Sequence, residues 1–150
     1  SIWQQGWKDA TQRSGVTLVT LPWPAAPADI DAMLAAATGE RVESIEFGLN
    51  FMLRGAGWQK IGAWAAQQKV LTSAADFARG EAMLSFGANG PRFLALLVDQ
   101  LDRVLRGADP ATLPIQQPTV FDIVVHRGQL RAIGLTVPRS VLVQATEVID

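Results

Sequence analysis

Apolar positions along this chain follow two rhythms, and the places where one gives way to the other mark its elements. Residues 92–106 carry the clearest pattern. Phe93, Leu94, Leu97, Val98, Leu101, Val104 and Leu105 repeat with the 3.6-residue period of an amphipathic helix, and Gly107 is placed to stop it. Ile2 to Ser14 has a weaker version, with Trp3, Trp7 and Ala10 on one face and Gly15 as a C-terminal cap. Further helices are predicted over 30–37, with Asp29 at the start and Met33 and Leu34 facing inward, and over 58–67, with Ile61, Trp64 and Ala65 on one side. A short helix over 127–133 ends at Gly134, and a last helix over 139–149 opens at Pro138. Alternating, β-branched or apolar runs predict five strands, over 16–21, 42–47, 69–72, 82–86 and 119–125. Pro22, Pro24 and Pro27 break the first of these, because proline cannot donate to a ladder. Residues 73–81 read as loop, and residues 109–118 as a proline-bounded linker.

Strands alternating with helices imply βαβ crossovers. The expected fold class is α/β, a three-layer arrangement of a mainly parallel sheet with helices on both faces. No internal repeat or low-complexity tract interrupts it.

Composition narrows the function more than the fold. The chain has 150 residues, enough for one domain, with 49% apolar and 18% charged residues and a formal net charge of −1. Its basic residues are scattered, so no nucleic-acid partner is expected. There is no cysteine, which removes disulfides, thiolate metal sites and a cysteine nucleophile. The single histidine, His126, ends a strand before Arg127-Gly128 and reads as a solvated turn residue rather than a base, since one ungrouped residue does not make a site. No run of 18 apolar residues spans a membrane. The chain starts at Ser1 in what already reads as a helix, so that start looks like a cut.

Searches for reactive constellations fail in turn. There is no Gly-x-Ser-x-Gly nucleophile turn. The glycines Gly48, Gly55 and Gly57 have neither P-loop nor dinucleotide spacing. Asp29 and Asp31 suit a helix start, and Asp99 and Asp102 suit the solvated face of the long helix, so no metal site and no cofactor are expected. Five tryptophans without a tyrosine allow a stacking platform, but helix-spaced aromatics usually face a core.

More informative are the segments that follow the strands, because open α/β sheets bind ligands beyond the carboxyl ends of their strands. Here these are Gly48-Leu49-Asn50-Phe51, Ser73-Ala74-Ala75 and Phe86-Gly87-Ala88-Asn89. They combine small residues for close approach, amides for hydrogen bonding and phenylalanines for apolar contact. Such groups suit holding a small molecule rather than transforming it.

A family resemblance begins at Phe77. Phe77-Ala-Arg-Gly-Glu-Ala-Met-Leu-Ser-Phe-Gly87 resembles the stretch ending Ser-Tyr-Gly in ABC-type solute-binding proteins of the tryptophan/tyrosine-transport kind. Leu97-Val-Asp-Gln-Leu-Asp-Arg-Val-Leu-Arg-Gly-Ala-Asp-Pro110 is similar to that family's helix ending Lys-Gly-Ala-Lys-Pro. Leu113-Pro-Ile-Gln-Gln-Pro-Thr119, Phe121-Asp-Ile-Val-Val125, Ala132-Ile-Gly-Leu-Thr-Val-Pro138 and Ala145-Thr-Glu-Val-Ile-Asp150 follow in the family's order. Residues 1–76 resemble the family by element order only.

The resemblance implies one lobe, the C-terminal half, of a type I periplasmic-binding-protein clamshell, with residues 82–107 returning to the other lobe. It implies a non-enzymatic solute-binding component of an ABC import system, periplasmic or at the cell surface, whose partners are a small solute and a membrane permease. The implied ligand residues are Asn50, Phe51, Ser85, Phe86, Gly87 and Asn89. Two departures stand out. Phe86 replaces a tyrosine, losing a hydroxyl, and Leu49-Asn50 stand where relatives often carry an aspartate, which leaves recognition of an amino group without its usual carboxylate. A lobe without its opening strand must rearrange its sheet, swap segments into a dimer, or await a partner segment. The long helix would then expose its apolar face. The alternative reading is therefore an interaction fragment that forms a homodimer through that helix.

Overall fold

A computed structural model describes residues 2–21, 29–48, 55–75 and 81–150, with side chains from Gln5 onward. The chain divides into two compact units, Ser1–Val42 and Glu43–Asp150.

The first unit holds α1 (Ile2–Ser14) and α2 (Ile30–Gly39). In α2 the positions Ile30, Met33, Leu34 and Ala37 are buried, the three- and four-residue spacing expected of one helix face. Residues 16–21, expected as a strand, have no regular structure, and Val16, Leu18 and Val19 are exposed. The physical reason is pairing. A strand exists only where a neighbour takes up its N–H and C=O groups, and no described strand does so here.

The second unit is built on a five-stranded sheet. Its strands are β1 (Ser44–Phe47), β2 (Leu71–Ala75), β3 (Leu84–Ala88), β4 (Phe121–His126) and β5 (Glu147–Ile149), and the spatial order follows the sequence order. β1 with β2, β2 with β3, and β4 with β5 are parallel, while β3 and β4 are antiparallel. The fold is thus α/β with a mostly parallel sheet.

The connecting helices are α3 (Ala56–Gln68), α4 (Gly90–Leu105), α5 (Arg127–Ala132) and α6 (Arg139–Gln144). Alternation along the strands puts Ile45, Phe47, Thr72, Ala74, Ser85, Asp122 and Val124 on one face and Val125 on the other, and all are buried. A sheet buried on both faces is what parallel topology requires. Around Met83 and Val125 a cluster gathers Ala65 of α3, Leu130 and Ile133, with Trp64, Leu71, Leu84 and Ile123 packed against it. Trp58 meets Phe47 edge to face at 5.0 Å. The helix-spaced tryptophans Trp58 and Trp64 are therefore packing residues, whereas Trp7 is exposed.

Three further differences from the sequence reading have local causes. β2 runs to Ala75, so Ser73–Ala75 is strand and not loop, because β3 offers it a parallel partner. β3 begins two residues later than expected and ends at Ala88, since the antiparallel register with β4 pairs Leu84 with Val125 and Ala88 with Phe121. The last helix stops at Gln144, where a run to Ile149 was expected. Thr146, Val148 and Ile149 are β-branched, and Thr146 N–H donates to the Ile123 carbonyl at 2.8 Å as β5 joins the sheet.

α4 has no buried residue. Leu94, Leu97, Val98, Leu101 and Leu105 are half or more exposed, and Phe93 is 38% exposed. On its polar side Asp99 pairs with Arg103 at 3.0 Å and Asp102 with Arg106 at 2.7 Å, each one turn apart. Gly107 takes φ 98°, the left-handed conformation that closes a helix. No described helix is long and apolar enough to cross a membrane.

Candidate functional site

The parallel strands β1, β2 and β3 all run toward the same edge of the sheet, and four of the six expected ligand residues lie on or just after β3. Asn50 and Phe51 lie outside the described residues. Ser85, Phe86 and Gly87 are the second, third and fourth residues of β3, and Asn89 follows its last residue, Ala88. They belong to the strand and its first following residue rather than to a free loop.

Each of the four does something different. Ser85 is buried, in register between Ala74 of β2 and Val124 of β4. Phe86 points to the opposite face and is 60% exposed. Its ring stacks on Phe121 of β4, with centroids 5.5 Å apart and planes 7° from parallel. Gly87 lies opposite Asp122.

Asn89 is the N-cap of α4. Its Oδ1 accepts from Arg92 N–H at 3.0 Å, and its Nδ2 donates to Asp122 Oδ2 at 2.9 Å. The Asn89 backbone N–H also donates to the Val120 carbonyl at 2.9 Å. Both ends of this amide therefore have intramolecular partners. The residue binds helix, strand and buried carboxylate into one corner.

Two groups at this edge were not singled out from sequence. Asp122 is an acid inside the otherwise apolar run Phe121-Asp-Ile-Val-Val125, and it is 3% exposed. That acid in a buried strand was the available signal, since a carboxylate is buried only with partners. Glu46 of β1 is the second. The residue as a whole is exposed, yet its carboxyl is desolvated, and this pushes its pKa above the ordinary carboxylate value. A hydrogen bond from the Ser73 hydroxyl acts in the opposite sense and offsets part of the rise.

His126 departs from its expected setting. It is the last residue of β4, paired in register with Ile149, and only partly exposed, rather than a solvated turn residue. Its N–H donates to the Met83 carbonyl at 2.8 Å, and its Nδ1 is buried with no hydrogen bond to the described residues. β5 carries the chain back beside it, which the sequence reading had as helix. At the same end Arg127 grips Asp150 through two bonds of 2.5 and 2.6 Å.

An open groove of about 520 Å³ runs elsewhere, along α3 and α5, lined by Trp58, Gly62, Ala66, Met83, Gln129 and Ala132 among others. None of Ser85, Phe86, Gly87 or Asn89 lines it. Among the described residues no cluster of three or more His, Cys, Asp or Glu side chains could hold a metal ion.

Solved structures share this arrangement. A conserved domain protein from Vibrio cholerae O1 biovar El Tor superposes with a TM-score of 0.80 at 20% identity, over 97% of this chain and 49% of that one. An ABC domain in complex with L-Trp from Streptococcus pneumoniae superposes with a TM-score of 0.81 at 21% identity, over 97% of this chain and 50% of that one. The fold is that of about half of each of these two chains. A ligand-free, open substrate-binding protein with adhesive properties from Clostridium difficile agrees, with a TM-score of 0.68 at 14% identity, over 99% of this chain and 49% of that one. The chain thus spans about half the length of each of these three structures. No family model matches it, and no curated protein matches it by sequence. At these identities the likeness establishes the fold, and it agrees with the periplasmic-binding-protein lobe that the motif resemblance implied.

Proposed function

We propose that this chain is the C-terminal lobe of a solute-binding protein that serves an ABC import system, and that it does no chemistry of its own. A small solute, an amino acid or an aromatic compound, lies against the carboxyl edge of the sheet. Asn50, Phe51, Ser85, Phe86, Gly87 and Asn89 form this lobe's side of the cleft. Phe86 supplies apolar contact, Gly87 allows close approach, Ser85 packs beneath them, and Asn89 holds the corner rigid. A membrane permease receives the loaded protein, outside the cytoplasm, in the periplasm or at the cell surface.

The observation that carries this reading is the convergence of three parallel strand ends on an edge that presents an exposed aromatic ring. The general rule for open α/β sheets puts ligands there. The fold shared with an ABC domain holding L-Trp and with a protein described as substrate-binding points the same way. Residues 82–107 then bridge to the complementary lobe, with the apolar side of α4 packed on it.

A thermal-shift screen of the protein against the L-amino acids and other small solutes tests the proposal. A binder at about 100 times its Kd adds roughly 2.7 kcal/mol of stability, and the melting temperature rises accordingly. If no solute raises it, the binding role is wrong.

The exposed stripe on α4 favours one second reading, a fragment that binds no solute and forms a homodimer or a swapped dimer through that helix. Light scattering separates the two. A monomer at high protein concentration excludes the dimer, and a dimer dispersed by Leu97→Glu supports it.

A further inference from the structure

We infer that β5 is a detachable strap, closed over the outer edge of β4 by an ionic latch between Arg127 and Asp150. The device goes beyond the solute-binding reading and stands whether or not a solute binds. β5 is three residues long and lies at the edge of the sheet. None of its residues is buried and Val148 is exposed, whereas Val124 and Val125 beside it on β4 are buried. Apolar burial therefore fixes β4 in the sheet and contributes far less to holding β5.

Polar bonds pin the strap at both ends. Before its first residue, Thr146 N–H donates to the Ile123 carbonyl at 2.8 Å, and the Thr146 hydroxyl oxygen accepts from Ile123 N–H at 3.2 Å. Beyond its last residue, the Arg127 guanidinium donates to both oxygens of Asp150, at 2.5 and 2.6 Å. A planar fork on a carboxylate is the geometry in which a surface ion pair counts. Gly128 leaves room for it, since a Cβ there would stand 3.3 Å from the Asp150 carbonyl carbon. Arg127 opens α5 directly after β4, so the latch ties the strap to the strand that it covers. An edge strand held in this way opens as a unit of its own, below the free energy of global unfolding. Opening uncovers the β4 edge beside His126, and a free strand edge is a template for pairing with another strand. The ion pair lies at the surface, so salt loosens it.

Amide hydrogen exchange of the unaltered chain, Arg127→Gln and Gly128→Ala tests the latch, at about 0.05 M and about 1 M sodium chloride, with β2 and β3 as internal references. Arg127→Gln removes the charge and the fork and keeps a polar side chain. It should speed exchange at residues 146–149 by about 2- to 5-fold and leave β2 and β3 unchanged. High salt should do the same to the unaltered chain and add nothing to Arg127→Gln. Gly128→Ala keeps both charges but crowds Asp150, and it too should speed exchange at 146–149. Exchange of 146–149 only in step with β2 and β3 would overturn the inference, because β5 would then be an inseparable part of the sheet. So would an Arg127→Gln protein that exchanges like the unaltered chain, or one that responds to salt as strongly. If Arg127→Gln does not fold, the unaltered chain decides: acceleration by salt confined to 146–149 supports the latch, and no acceleration there overturns it.

Discussion

Replacing Asn89 probes the corner on which the candidate site is built. Two bonds meet on its side chain: the cap, accepted by Oδ1 from Arg92 N–H, and the donation from Nδ2 to the buried Asp122 carboxylate. Asn89→Ala deletes both. Losing an N-cap costs about 1 kcal/mol, and taking a donor from a buried carboxylate costs about 1.5–3 kcal/mol. The sum is roughly 3 kcal/mol. At this chain length that lowers the melting temperature by roughly 6–12 °C.

Asn89→Asp separates the two parts. Its carboxylate can still cap α4, but it sets two carboxyl groups within hydrogen-bond distance with no amide between them. Two carboxylates that close cannot both ionise freely. Asn89→Asp should therefore be at least as destabilising at pH 7 as Asn89→Ala, and it should recover on acidification, when the pair can share a proton. The double variant Asn89→Asp with Asp122→Asn reverses the polarity of the bond and keeps a capping oxygen, so it should regain most of the loss. Guanidinium unfolding midpoints of the four proteins, at pH 7 and pH 5, provide the comparison. The reasoning is refuted if Asn89→Ala costs under about 0.5 kcal/mol, the scale of an ordinary surface substitution. It is refuted equally if the double variant is no more stable than Asn89→Asp.

Two further outcomes follow from single groups. Glu46 has a folded-state pKa raised chiefly by desolvation, so the native state holds its proton more tightly than the unfolded chain does. Its contribution is therefore most favourable at low pH and is lost as pH climbs from the ordinary carboxyl range through the raised value. Glu46→Gln should remove that decline, and stability curves of the two proteins against pH that stay parallel would contradict it. Lys69 caps α3 in the left-handed conformation, φ 57° and ψ 40°, where a side chain is disfavoured. Lys69→Gly should stabilise the protein by about 1 kcal/mol, a gain of roughly 2–4 °C in melting temperature, and a loss of stability would show that the Lys69 side chain makes compensating contacts.

Much of the fold was legible because it is written in local period. The stripe from Phe93 to Leu105, the stop at Gly107 and the alternation of strands with helices follow from side-chain spacing alone. What failed was everything decided by pairing. Residues 16–21 look like a strand but have no described strand beside them. Residues 147–149 sit in a helical-looking tail but find β4. The two-residue shift of β3 has the same origin, since register is set by the partner and not by the strand's own composition.

The site was legible as a region but not in its division of labour. Sequence singled out Ser85, Phe86, Gly87 and Asn89, and the structure has the first three in β3 and Asn89 at the cap of α4. Sequence could not show that Asn89 spends its amide on Arg92 and Asp122, or that Phe121, 35 residues along the chain from Phe86, completes the ring stack. The Asn89–Asp122 bond and the ring stack exist only once β3 and β4 lie antiparallel.

The claim on which the account depends is that a small solute is held at the carboxyl edge of this sheet. Backbone amide NMR of the protein titrated with L-tryptophan tests it most directly. The account predicts saturable shifts concentrated at Ser85, Phe86, Gly87, Asn89 and Phe121. Shifts confined to the groove along α3 and α5, around Gly62, Ala66 and Gln129, would place the ligand elsewhere and contradict it.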